Sequence, residues 1–260
     1  LAVLKALRAI DGMDGEECPE RVFSIRVFGD SKYFERNVKK RVAGIIRQYL
    51  VAERDLIERP SDDEMLAQVG IVKAFEQVEF CGDISGRLYG KPVDFSLFRH
   101  GTVLPSRTVK GLEIEGMGRV DRVLFIENKT NYMDYISKGK GRDELVIFHG
   151  GFYSPVKGEF FAKVHAAGQR AGAKFYHWGD IDIGGFRMFK RLKENIIPSL
   201  RPYLMDKEAF LSKKNYWLPF GGKYQKALES MLCDKGYSEF HDVIETMLRA
   251  GARLEQEAFL

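Results

Sequence analysis

The sequence predicts an α/β protein in which a parallel sheet flanked by helices follows a smaller α+β module. Three observations carry the prediction. Continuous apolar runs at 123–126, 145–148 and 173–178 alternate with helical stretches, as parallel strands joined by crossovers do. Acidic residues stand just past the first and third runs, at the rim where open α/β sheets place their sites. The first hundred residues read differently, as helices followed by short strand-like runs broken by Gly and Pro. A chain of 260 residues is long enough for two small domains. The change of pattern divides it into a module over 1–115 and a sheet domain over 116–260.

The chain begins LAVLKALRAI in mid-helix style, which suggests an upstream region. Residues 21–30 read as a short strand and turn. Ser31 is a candidate N-cap for a helix carrying Phe34, Val38, Val42, Ile45, Ile46 and Tyr49 at helical spacing. Tyr33 and Tyr49 fall on its apolar face. The opposite face carries Arg36, Lys39, Lys40, Arg41 and Arg47. Lys39, Lys40 and Arg41 are candidate duplex-phosphate contacts; the alternative is the solvated face of an ordinary amphipathic helix. Ser61-Asp62-Asp63-Glu64 resembles a capping box that starts another helix. Strand-like runs over 78–104 follow, and helices plus a small β region fit a winged-helix-like module.

In the second half, Val123-Leu124-Phe125-Ile126 has the pattern of a strand buried on both faces. Glu127 and Asn128 follow, then a helix near 131–137. Leu145 to Phe148 is a second strand, closed by His149-Gly150-Gly151. Ser154 before Pro155 is a strong helix start. That helix runs through Phe160, Phe161 and Val164 and stops near Gly168 or Gly172. The stretch AKFYHWGDIDIGGFRMF, 173–189, reads as a strand, Asp180-Ile181-Asp182, a turn through Gly184-Gly185, and a helix. Arg187, Lys190, Arg191 and Lys193 on that helix are phosphate contacts or solvated surface. Residues 196–220, with Pro198, Pro202 and Pro219, look like an irregular connection to terminal helices.

The chemistry follows from the acids. Residues i and i+2 of an extended stretch point the same way, so Asp180 and Asp182 can project together, about 6–7 Å apart. Two such carboxylates repel unless a cation lies between them. Hard oxygen ligands at a strand-to-helix turn suit Mg²⁺ and the phosphate oxygens it brings. Glu127 joins them if its strand neighbours theirs. Each element also has a plainer reading. Asp-x-Asp often caps helices, Gly150-Gly151 is more often a turn than a phosphate cradle, and His177 reads as a half-buried strand residue. His149 is either a loop residue or a group supporting the site.

Composition sets wide bounds. The net charge of +4 is compatible with nucleic acid and does not by itself point to it. Cys18, Cys81 and Cys233 are odd in number and lack a C-x-x-C pair, which argues against a disulfide framework or a zinc site and for a reducing cytoplasm. No apolar run reaches membrane-spanning length, and no signal-peptide pattern is present.

Ile126-Glu127-Asn128 followed some fifty residues later by Gly179-Asp180-Ile181-Asp182-Ile183-Gly184-Gly185 resembles the Toprim domain of topoisomerases, primases and nucleases. The fuller string HWGDIDIGGF and the closing Leu254-Glu255-Gln256-Glu257 resemble the DNA-cleaving component of topoisomerase VI and, more tightly, the JetD family of Wadjet plasmid-defence nucleases. Arg26 to Lys32 is similar to a segment preceding the Toprim domain in that family, so the resemblance runs from about residue 21 onward.

The resemblance implies Glu127 as a metal ligand or general acid/base, Asp180 and Asp182 as the metal-binding pair, and Gly185 as the tight-turn glycine. Asn128 and Glu255 are implied as supporting groups. It further implies a Mg²⁺-dependent endonuclease (Mn²⁺ also possible) acting on double-stranded DNA, a homodimer with one centre per strand, and a condensin-like motor complex as partner. Topoisomerase VI cuts with a tyrosine instead. No clear match to that motif stands here, and Tyr89 in a Gly-rich turn is the least implausible substitute, so cleavage by water is the expectation. Rival readings are a tyrosine transesterase, a phosphatase or glycosyltransferase using Asp-x-Asp, and a catalytically silent DNA-binding module. A dehalogenase-type phosphatase is disfavoured because Ile183-Gly184 stands where a Gly-Thr pair is expected.

Overall fold

The computed structural model describes residues 1–13, 16–50, 60–139, 141 and 143–260. It is an α/β protein built on a six-stranded sheet. Across the sheet the strands run Arg201–Pro202, Lys174–Trp178, Arg122–Ile126, Glu144–Phe148, Gln77–Cys81 and Thr102–Pro105. The first four are parallel. The fifth is antiparallel to both of its neighbours. Val123 to Ile126 and Leu145 to Ile147 are fully buried, as strands covered on both faces must be.

The connecting helices form where the sequence places them. Asn128 caps Lys129–Ser137 by accepting from the Thr130 and Asn131 N–H groups. Ser154 and Pro155 open the helix Pro155–Ala171, and Gly172 closes it at φ 75°, a left-handed turn that glycine adopts without strain. Ile183–Asn195 follows the aspartates. Residues 196–220 are more ordered than expected: they add the edge strand Arg201–Pro202 and the helix Lys207–Ser212.

Five helices, Ala2–Asp11, Glu20–Phe28, Tyr33–Asn37, Lys39–Leu50 and Asp62–Ala67, surround a separate interior of Phe23, Phe34, Val38, Val42, Ile46, Met65 and Leu66. Ser61 and Glu64 complete the expected capping box. The strand-like runs after residue 77 belong elsewhere. Two of them extend the main sheet. Ser85–Leu88, Lys91–Asp94 and Leu112–Gly116 form a small antiparallel sheet whose Leu112 and Ile114 join the larger interior. The two interiors therefore part between residues 71 and 78.

Three local expectations are corrected here. Residues 21–28 are helical and only 29–30 form the turn, because Pro19 precedes a first turn whose Glu20, Phe23 and Ser24 are buried at helical spacing, and Gly29 ends it at φ 79°. The next helix is interrupted at Val38, whose φ of −124° leaves the α region. Tyr33 and Tyr49 consequently lie outside the apolar stripe, 37% and 77% exposed. Lys39 is not on the open basic face: it is buried, 2.6 Å from Glu20 and 2.5 Å from Asp63. Lys40 and Arg41 remain exposed. No helix among the described residues is long and apolar enough to cross a membrane.

Candidate active site

The strand bearing Glu127 and the strand bearing the aspartates are direct neighbours, with Ile126 opposite Trp178. The Glu127 N–H donates to the Trp178 carbonyl at 2.9 Å, which levels the two strand ends. A side chain at position 179 would collide with Glu127 Oε2. Gly179 is therefore what lets the glutamate lie over the adjacent strand end.

Beyond Asp180 the chain is held by the carboxyl terminus. Ile181 and Leu254 exchange backbone hydrogen bonds of 2.9 and 3.2 Å. This delivers Glu255, Gln256 and Glu257 to the rim. The Gln256 N–H donates to Asp180 Oδ1 at 2.6 Å. Its side-chain amide donates to the Trp178 carbonyl at 3.2 Å and accepts from the Asn128 N–H at 2.9 Å. The Asn131 amide donates to its carbonyl at 2.9 Å. A residue only 1% exposed thus ties both strand ends and one carboxylate into a single unit. Asn128 also donates to Glu257 at 2.6 Å.

Asp182 is held by other partners. Its Oδ1 accepts from the Gly185 N–H at 2.8 Å and caps the helix Ile183–Asn195, while Oδ2 accepts from Arg253 at 3.2 Å. The expected turn through Gly184-Gly185 is therefore the first turn of the helix. Gly185 is required for close approach, since a side chain there would strike the Asp180 backbone. Glu255 lies 3.9 Å from Arg253 and is half-exposed.

Burial, then the charge of Asp182, then Glu257 and Glu255 push the Asp180 carboxyl up to about 7, against the opposing Gln256 N–H. Burial also raises Asp182, opposed by Gly185 and Arg253. Beneath the rim, His177 and His149 are fully buried with ring centroids 5.1 Å apart. Among the described residues neither ring nitrogen of His177 meets a hydrogen-bond partner, and burial pushes the ring down to about 3. His177 is therefore a core residue, more enclosed than the half-buried position expected of it.

Glu127, Asn128, Asp180, Asp182, Gly185 and Glu255 all arrive at this one rim. Lys39, Lys40 and Arg41 do not; they belong to the amino-terminal helices. Arg187 sits half-buried in the second turn of the capped helix. Among the described residues, no three His, Cys, Asp or Glu side chains are arranged to hold a metal ion. The donor set still fits a hard cation: Mg²⁺ needs only one or two carboxylates, and Glu127 with Asp180 supplies two, on a rim whose like charges raise Asp180.

Sequence reasoning missed Gln256, Arg253 and Glu257 as parts of the site. For Gln256 and Glu257 the signal was the string Leu254-Glu255-Gln256-Glu257, of which only Glu255 was assigned a role. The role of Asp182 is testable. Asp182→Ala is expected to lower stability by about 2 kcal/mol, through the lost cap and the lost hydrogen bond from Arg253. Asp182→Asn, which keeps a capping oxygen, should lose less than half of that in urea unfolding. Equal losses would show that the cap contributes nothing.

Comparison with known proteins points to one group. Residues 96–260 match the family model described as Wadjet protein JetD, C-terminal. The Wadjet protein JetD of Bacillus cereus (strain Q1) is 32% identical over 258 residues, which is 99% of this chain and 61% of that protein. The chain thus spans about three fifths of the length of the curated relative it matches.

Proposed function

The chain belongs to the Wadjet protein JetD family, and from that premise we propose that it is a metal-dependent endonuclease that cuts double-stranded DNA in Wadjet plasmid defence. One observation carries the reading: Glu127 and Asp180 stand on adjacent strand ends, with Gly179 clearing space for the glutamate and Gln256 fixing the aspartate. Carboxylates on rigid strand ends hold their geometry better than carboxylates on loops.

In this proposal Glu127 and Asp180 hold Mg²⁺ or Mn²⁺ in a Toprim-like arrangement. When bound, the metal neutralises the phosphodiester and favours attack by water, an effect worth several kcal/mol. Asp182 sets the direction of the chain after Asp180 by capping the helix and engaging Arg253. Glu255 and Glu257 keep the rim negative and the cation in place. Cutting both strands requires two such centres, so the working form is a homodimer. Its partner is a condensin-like motor complex that presents plasmid DNA, and its compartment is the cytoplasm.

The test is supercoiled plasmid incubated with Mg²⁺, Mn²⁺ or EDTA, wild type beside Glu127→Ala. Nicking or linearisation in metal, absent in EDTA and in the variant, is expected. Intact plasmid in all lanes, with DNA still bound, would point to a silent binding module. Because Tyr89, the least implausible nucleophile from sequence, is exposed, as are Tyr33 and Tyr49, covalent cleavage by a tyrosine is the second reading. Protein remaining attached to DNA ends after detergent would favour it.

A further inference from the structure

A second constellation lies along the same rim. Phe148 ends the strand next to that of Glu127, opposite Ile126 on one side and Glu79 on the other. Two ammonium groups flank its ring. Lys129, from the helix after Glu127, stands 4.8 Å from the ring centroid, and Lys157, from the helix Pro155–Ala171, stands 4.9 Å from it. Lys129 is ion-paired with Glu79. Lys157 is only 7% exposed, and among the described residues no carboxylate lies within ion-pairing distance of it. Glu76, the other acid near it, is hydrogen-bonded by the Ser154 hydroxyl.

A desolvated cation without a paired anion is costly. An anion received beside it would relieve that cost. The surroundings suit an oxyanion. Gly150 turns at φ 67°, and a side-chain carbon there would stand 3.2 Å from Lys157 Nζ, so glycine keeps the approach to the amine open. Gly151 follows, and backbone turns of this kind present N–H groups to anions. The chain here is clamped rather than loose. Gln68 donates to the Tyr153 carbonyl at 2.8 Å and accepts from Arg191 at 2.8 Å, and the Arg191 guanidinium lies 3.6 Å above Phe152. Burial pushes the Lys157 amine down to about 8, with Glu76 and Glu79 acting against that and Lys129 with it.

We propose that Lys157 and Lys129, with the Gly150-Gly151 turn, seat a backbone phosphate of the bound DNA beside the carboxylate rim. Neighbouring strands are about 4.8 Å apart, so the seat is offset from the acids by one to two strand spacings. That matches the step from a scissile phosphate to the next one along a nucleic-acid strand. The seat supplies positive charge where the acids repel the DNA, and it sets the register of the strand over Glu127 and Asp180. This inference rests on the DNA-cleavage reading above.

The experiment is fluorescence anisotropy of a labelled duplex in EDTA at several salt concentrations, so that no cleavage intervenes. Lys157→Met, which keeps the volume and removes the charge, is expected to weaken binding about tenfold and to reduce the salt slope by about 0.9. Lys157→Arg should retain most of the affinity. Lys129→Gln, at a half-exposed position, gives the same direction of effect and decides the matter if Lys157→Met fails to fold. Unchanged affinity and slope in both charge-removing variants would overturn the seat while leaving the DNA reading intact. A wild type that binds no duplex would overturn both.

Discussion

Asp180→Asn is expected to abolish metal-dependent strand cleavage and, in metal-free buffer at pH 8, to make the protein more stable than wild type. The first effect follows from the loss of one of two anionic donors at the rim. Removing several kcal/mol of electrostatic assistance slows the reaction by about a thousandfold or more. The second follows from linkage. The Asp180 carboxyl is held up to about 7 in the folded protein and returns to the ordinary aspartate range on unfolding. The folded state therefore binds the proton more tightly, and its stability falls as pH rises from about 4 to 7 and then levels.

Asparagine removes that loss, about 4 kcal/mol at most, while its oxygen can still accept from the Gln256 N–H. Thermal denaturation with and without Mn²⁺ reads both effects. Wild type should gain from the metal at pH 8, gain much less at pH 5.5 where the proton competes, and Asp180→Asn should gain at neither. A variant that still nicks plasmid, or whose metal-free midpoint falls, would remove Asp180 from the proposed centre.

The histidines below the rim work in the opposite sense. His177 is pushed down to about 3 and His149 well below the ordinary range, both chiefly by burial. Their folded forms are neutral, whereas in the unfolded chain each takes up a proton below about pH 6.5. Their contribution is thus fully present above pH 6.5 and is lost as pH falls toward 3. At pH 5 His177 is expected to cost about 2 kcal/mol, with His149 acting in the same direction, partly offset by Asp180 gaining its proton in the same window.

The difference between variants isolates the histidine part. His177→Leu, apolar in an apolar site, should flatten the fall of urea-unfolding free energy between pH 6.5 and 5 by the equivalent of one proton. Asp180→Asn should steepen it. If His177→Leu follows the wild-type profile, the buried ring is not the origin of acid sensitivity.

The strands and caps of the second half were legible because their signals are local. Continuous apolar runs, Ser154 before Pro155, and Ser61 with Glu64 each act within a few residues. Glu127, Asp180 and Asp182 were legible as a set because strand ends face a rim. The amino-terminal part misled where local signals conflicted. Phe23, Ile25 and Val27 alternate like strand residues, yet Pro19 and Gly29 bound a helix whose buried positions are Glu20, Phe23 and Ser24. Lys39 shared a helix face with exposed cations, and only its distant partners Glu20 and Asp63 drew it inward.

What the sequence determined alone is therefore the chemistry at hand: three acids at two strand ends, a glycine pair behind them, and helices that cross between strands. The tertiary structure decided which groups meet each of those acids. Strand order put Glu127 beside Gly179, and a carboxyl-terminal segment more than seventy residues away in the chain brought Gln256 to Asp180 and Arg253 to Asp182. Periodicity and capping are readable because they depend on neighbours in sequence. These pairings depend on which surfaces meet when the whole chain buries its apolar area, and no local pattern encodes that.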